Sequence, residues 1–129
     1  MWEAWSMLVH HRPSGRRLLI QGSAGFVQGA LVGQHAEVVY LGVGQLGVLP
    51  RSYLLDYWSQ TVRAVGARRV VLIHWDDFFR PLSKPLRLCR IWLTTWTRLC
   101  ASWVSWPRGT RLRCICRRCG AARIRGPER

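Results

Sequence analysis

Lysine is nearly missing from this 129-residue chain: Lys84 is the only one, so arginine carries almost all of the 20 basic charges. Acids are scarce as well, six in total, which leaves a formal net charge of +14 with histidine neutral. No apolar run approaches the ~20 residues that a membrane-spanning helix needs, so no transmembrane segment is expected. Met1 to Met7 carries two tryptophans and a glutamate where an export signal needs basic residues and then an apolar core, and no such signal is read. Cysteine is absent before position 89, and an odd total of five argues against a closed disulfide set. The expectation is a cytoplasmic chain with free thiols. The 49% of apolar residues is ordinary for a globular domain and excludes a collagen-like or wholly disordered chain.

The scarcity is uneven along the chain. Residues 1–77 hold seven arginines and five acids (Glu3, Glu37, Asp56, Asp76 and Asp77), whereas residues 78–129 hold thirteen Lys or Arg and the single acid Glu128. All five cysteines and four of the eight tryptophans lie beyond residue 88. Two chemically different parts are joined near Pro85: a domain over 1–86 and a basic Cys/Trp/Arg-rich tail over 87–129, expected to be disordered.

The first part has α/β grammar. Ser6 to His10 and Arg17 to Gln21 flank the turn signal Pro13-Ser14-Gly15, which predicts a hairpin. Glu37 to Leu41 and Arg69 to Ile73 are β-branched runs that read as buried strands. Between them Leu54, Trp58, Val62 and Val65 recur at helical spacing, with Ser52 placed to cap the helix and Gly66 to end it. Strand, helix and strand of this length form a crossover between parallel strands. Residues at the carboxyl ends of such strands converge on one crevice, here the loops Gly22-Ser23-Ala24-Gly25, Gly42 to Gly47 and His74 to Asp77.

Gly42-Val43-Gly44-Gln45-Leu46-Gly47 matches the dinucleotide fingerprint literally. Val48, Leu49 and Pro50 nevertheless intervene before the helix, and Arg68 and Arg69 stand where the ribose-binding acid belongs. No cofactor is assigned to it; a loop that needs backbone freedom is the expectation. His74 ends an apolar strand and precedes Trp75-Asp76-Asp77, an arrangement that suits either a structural histidine or a metal ligand steadied by a neighbouring carboxylate.

Taken together, LLIQGSAGF at 18–26, EVVYLGVGQLG at 37–47 and VRAVGARRVVLIHWDDF at 62–78 resemble the carboxyl-terminal half of a metallo-β-lactamase-fold hydrolase of the lactonase-like branch. The resemblance covers roughly residues 6–86. It implies a partial αββα sandwich, one sheet with its crossover helix. It places His74 at the last zinc-ligand position, Ser23 where the bridging Asp usually stands, and Asp76 and Asp77 beside the metal. It further implies a metal-bound hydroxide that attacks an ester, lactone or similar small molecule in intact relatives. Two departures stand out. A serine hydroxyl is a poorer ligand for a dication than a carboxylate, and the family's His-x-His-x-Asp-His motif occurs nowhere in the 129 residues. His10 and His11 are adjacent on a predicted strand and point to opposite faces, and His35 is alone in a loop. The reading is a hydrolase fragment, inactive alone and with no stably bound zinc; catalytic residues are unassigned. Half a sandwich also leaves an apolar sheet face bare, which invites self-association.

Three readings of the tail compete. Cys114-x-Cys116-x-x-Cys119 with Cys100 or Cys89 offers thiolates to zinc, at irregular spacing. Trp92, Trp96, Leu99, Trp103 and Trp106 form a stripe that, with Arg90, Arg98 and Arg108, would suit an interfacial helix, although the Ser and Thr between them are poor helix formers. Arg-, Trp- and Cys-rich sequence almost without acids or lysine is also what an out-of-frame reading of a GC-rich gene yields. The alternative function is a small basic protein that binds nucleic acid or anionic membrane through this tail.

Overall fold

A computed structural model describes residues 5–76, 81 and 83–85, together with the backbone of two strands in the tail. Its centre is a four-stranded mixed sheet in the order β1-β2-β3-β4. Strands β1 (Ser6–His11) and β2 (Arg16–Gln21) form the expected antiparallel hairpin, joined by a 3-10 turn over Arg12–Ser14 and by Gly15. Strand β3 (Val38–Gly42) pairs parallel with β2, and β4 (Arg69–Ile73) pairs parallel with β3. The connection from β2 to β3 runs through turns over 22–37, and the one from β3 to β4 carries the helix.

Helix α1 (Arg51–Trp58) continues into a π-helical turn over Ser59–Arg63, and Gly66 closes it with φ of +64°. Ser52 does not cap α1. Pro50 holds the cap position without a side-chain bond, and Ser52 lies inside the first turn. The extended backbone that a residue flanking a helix adopts is already built into proline, so the entry needs no hydroxyl. Leu54, Trp58, Val62 and Val65 are all buried, as their spacing predicted.

The sheet has two unlike faces. Inward lie Leu19, Val39, Leu41, Val70 and Leu72, packed with the helix residues into one core. Because strand residues alternate, the opposite face carries Met7, Val9, Leu18, Ile20, Val38, Tyr40, Val71 and Ile73. Those eight are apolar, yet Met7, Val9 and Tyr40 are exposed and the other five only half-buried; toward the hairpin end the same face carries His11, Arg16 and Arg69.

In the tail, β5 (Leu112–Cys116) and β6 (Gly120–Ile124) pair antiparallel as a separate two-stranded sheet. The tryptophan stripe, Cys89, Cys100 and Cys119, and the side chains of Cys114 and Cys116, lie outside the described residues. No helix among the described residues is long and apolar enough to cross a membrane.

At Gly42 the end of β3 lies against the backbone that follows β2. A methyl group there would stand 2.7 Å from the Gln21 carbonyl oxygen and 2.9 Å from the Gly22 carbonyl carbon, backbone atoms that cannot swing aside. Gly22 itself faces open space. Gly42→Ala is expected to lower the unfolding free energy by about 1–3 kcal/mol, as overpacking does. Gly22→Ala, measured alongside in urea, should change it by no more than about 0.5 kcal/mol.

Candidate functional site

Three parallel strands end together, so their loops form one crest. Gln21 aligns with Leu41, and Gly42 with Ile73, which brings Gly22 to Gly25, Gly42 to Gly44 and His74 to the same end of the sheet. This is the crevice the sequence predicts.

The first loop is fastened by three side chains. Buried Gln21 donates its amide to the Gly25 carbonyl at 2.7 Å and the Ser23 carbonyl at 3.4 Å, while its oxygen accepts the Ser6 hydroxyl at 2.5 Å. Tyr53 donates to the Ala24 carbonyl at 2.9 Å. The Tyr57 hydroxyl lies 2.7 Å from the Gly42 carbonyl and 2.9 Å from the Ser23 carbonyl, so one hydrogen serves two acceptors from two loops. Phe26 covers both tyrosines, with ring centroids 5.4 Å from Tyr53 and 6.1 Å from Tyr57. Ser23 faces inward on its own loop, its hydroxyl 3.5 Å from the Gly25 N–H that donates to it.

Burial pushes the Tyr57 phenol far above its ordinary range, and Tyr53 adds in the same direction. The group therefore remains a donor wherever the protein is folded.

His74 sits at the far side of the crest with φ of +59°, uncommon for a residue with a side chain. Its ring lies over Gly44: a methyl there would stand 2.9 Å from Nδ1 and 3.3 Å from Cε1. The glycine-rich loop is thus shaped to the histidine and to the end of β2. Gln45 takes φ of +64°, a 3-10 turn follows over Leu46–Val48, and α1 begins only at Arg51, so no helix amino terminus opens onto the glycines as a pyrophosphate cradle requires.

Ser23 and His74 follow β2 and β4, which lie on opposite sides of β3 in the sheet. Asp76 is half-buried two residues beyond His74, and Asp77 lies outside the described residues. The other histidines are at the opposite end of the sheet. His10 and His11 align with Arg17 and Arg16, and His35 lies against Gly66. Five strand residues separate the level of Arg68, which is that of His10, from Ile73, about 16 Å. They cannot join His74 around one ion. Among the described residues no three His, Cys, Asp or Glu side chains gather as a metal site.

Sequence reasoning singled out Ser23 and His74 and passed over Gln21, Tyr53 and Tyr57. Their signals are present: a glutamine at an inward position of an apolar strand, and two tyrosines four apart on one helix face.

No family model, curated protein or solved structure matches the chain.

Tyr57→Phe should cost about 1–3 kcal/mol, since two buried carbonyls lose their shared donor. Its pKa is raised on folding, so the stability it lends is complete below the ordinary tyrosine pKa of ~10 and declines as pH rises above it. Unfolding measured from pH 8 upward should show the difference between wild type and Tyr57→Phe falling by up to about 1.4 kcal/mol per pH unit beyond pH ~10. A difference independent of pH would show that the phenol is not buried as described.

Proposed function

We propose that residues 6–86 are the carboxyl-terminal part of a metallo-β-lactamase-like hydrolase fold of the lactonase-like branch. In this reading His74 stands at the last metal-ligand position and Ser23 at that of the bridging carboxylate. The observation that carries it is the order of the crest: serine loop, glycine-rich loop, then a histidine seated on Gly44. The two unlike sheet faces support it, since one is packed by a helix and the other presents apolar side chains as the inner layer of a sandwich would.

The described residues do not fit a catalytic dication. A zinc centre needs about three protein ligands and an open position. The crest offers one imidazole, one hydroxyl already engaged on its own loop, and Asp76. The function proposed is accordingly that of a hydrolase domain part that has no metal-dependent turnover by itself.

Assays of the full chain with chromogenic esters and lactones, with and without added zinc, test this. No zinc-dependent turnover is expected, and His74→Ala should leave the background unchanged. Joining an upstream segment that carries His-x-His-x-Asp-His from a lactonase should produce zinc-dependent turnover that His74→Ala abolishes. Zinc-dependent turnover by the chain alone, lost in His74→Ala, would overturn the inactivity; turnover in the joined protein that survives His74→Ala would overturn the site.

A further inference from the structure

The net charge of the first 77 residues is small, yet the fold sorts it by position. Six of their seven arginines gather at the end of the sheet opposite the crest. Arg16 and Arg17 open β2, Arg69 opens β4 with Arg68 just before it, Arg12 lies in the hairpin turn, and Arg63 ends the π-helical turn as the helix returns. Arg17 and Arg68 flank Glu37 on one level of the sheet, where the Glu37 N–H donates to the Arg17 carbonyl and the Glu37 carbonyl accepts from Arg68. Glu37 is the only acid among the described residues at this end; Asp76 is at the crest, and Asp56 is on α1. Among the described residues none of the six guanidiniums is held in an ion pair, and all but Arg17 are exposed.

The chemistry of the partner follows from the side chains. Guanidinium presents a planar fork that matches phosphate oxygens, and it is always charged. Four strands at about 4.8 Å make the end of the sheet roughly 15–19 Å wide, the span of about five phosphates along one duplex strand at ~3.4 Å each. A membrane surface would hold such cations more firmly with apolar side chains inserted beside them. The exposed aromatics among the described residues, Trp5 and Tyr40, lie toward the crest and on the outer face instead. Among the described residues no exposed aromatic stands at this end to stack on the bases of unpaired strands.

We infer that the arginine end of the sheet (Arg12, Arg16, Arg17, Arg63, Arg68 and Arg69) is a binding surface for the phosphate backbone of a nucleic-acid duplex, without base readout. It uses none of the tail's residues and does not rest on the hydrolase reading.

The test measures affinity of the full chain for a random-sequence DNA duplex over a range of salt. Arg16, Arg17, Arg68 and Arg69 are changed together to Gln, and separately to Lys. The tail's own cations remain as a constant background in every variant. The Gln variant should lower the slope of log affinity against log salt by about 3–4, because each phosphate contact contributes ~0.9. The Lys variant should keep the slope. A Gln variant within about one unit of the wild-type slope, or a Lys variant as weak as the Gln variant, overturns the inference. On the unmodified protein, the duplex should shield Arg16, Arg17, Arg68 and Arg69 from phenylglyoxal and leave Arg51 reactive; equal shielding of Arg51 also overturns it. Phosphatidylserine vesicles are the last arm: if the Gln variant loses vesicle binding and keeps the duplex slope, the partner is a membrane and the inference fails.

Discussion

One phenol closes the crest. Where β3 stops and where the chain turns after β2, carbonyls leave the ladder while still shielded from water, and a buried carbonyl without a donor costs about 1–3 kcal/mol. Tyr57 answers two of them at once, at Gly42 and Ser23, from a helix that packs on the inner face of the sheet. Everything at that end is referred to this point. The Gly42 backbone lies against Gly22, and the loop that Gly42 begins carries Gly44 beneath the His74 ring. The same loop is tied to the strand that ends in the histidine, where the Val43 N–H donates to the Ile73 carbonyl at 3.0 Å.

The elements that repeat a pattern were legible in the sequence. Two apolar runs around Pro13-Ser14-Gly15 gave away the hairpin, and Arg69 to Ile73 matches β4 residue for residue. The helix register was visible in Leu54, Trp58, Val62 and Val65, because burial imposes a period that composition cannot hide. Ser52 misled because capping depends on the backbone angle at one residue, and Pro50 supplied that angle first. The parallel pairing of β2 with β3 has no helix between the strands to announce it. Tyr53, Tyr57 and Gln21 were missed for a related reason: each works through backbone carbonyls, and a carbonyl leaves no residue type to read.

The same four strands also separate charge from apolar surface. Inward positions meet the helix, outward ones form an apolar sheet face, one end gathers arginine, and the other gathers the histidine loop. A sequence net charge averages over these regions and hides them. A strand alternates its faces and holds a constant direction, so a few residues at its start or end are enough to give each border of the sheet its own chemistry.

Strand β1 has no neighbour in the sheet on its outer side, and exposed side chains line most of its length. Its side-chain tie to the crest is the Ser6 hydroxyl on the Gln21 amide oxygen, beside the Gly22 N–H that donates to the Trp5 carbonyl, and the other end of the Gln21 amide holds the Gly25 and Ser23 carbonyls. The carboxamide is rigid and planar, so it behaves as a lever with one arm on the outermost strand and the other on the serine loop. Edge strands are where native chains first open. When β1 frays, Gln21 loses the bond that sets its rotation, and the loosening passes inward to the loop before the core has moved. The amide protons around Ser23 should accordingly exchange in step with those of β1 and well ahead of β3.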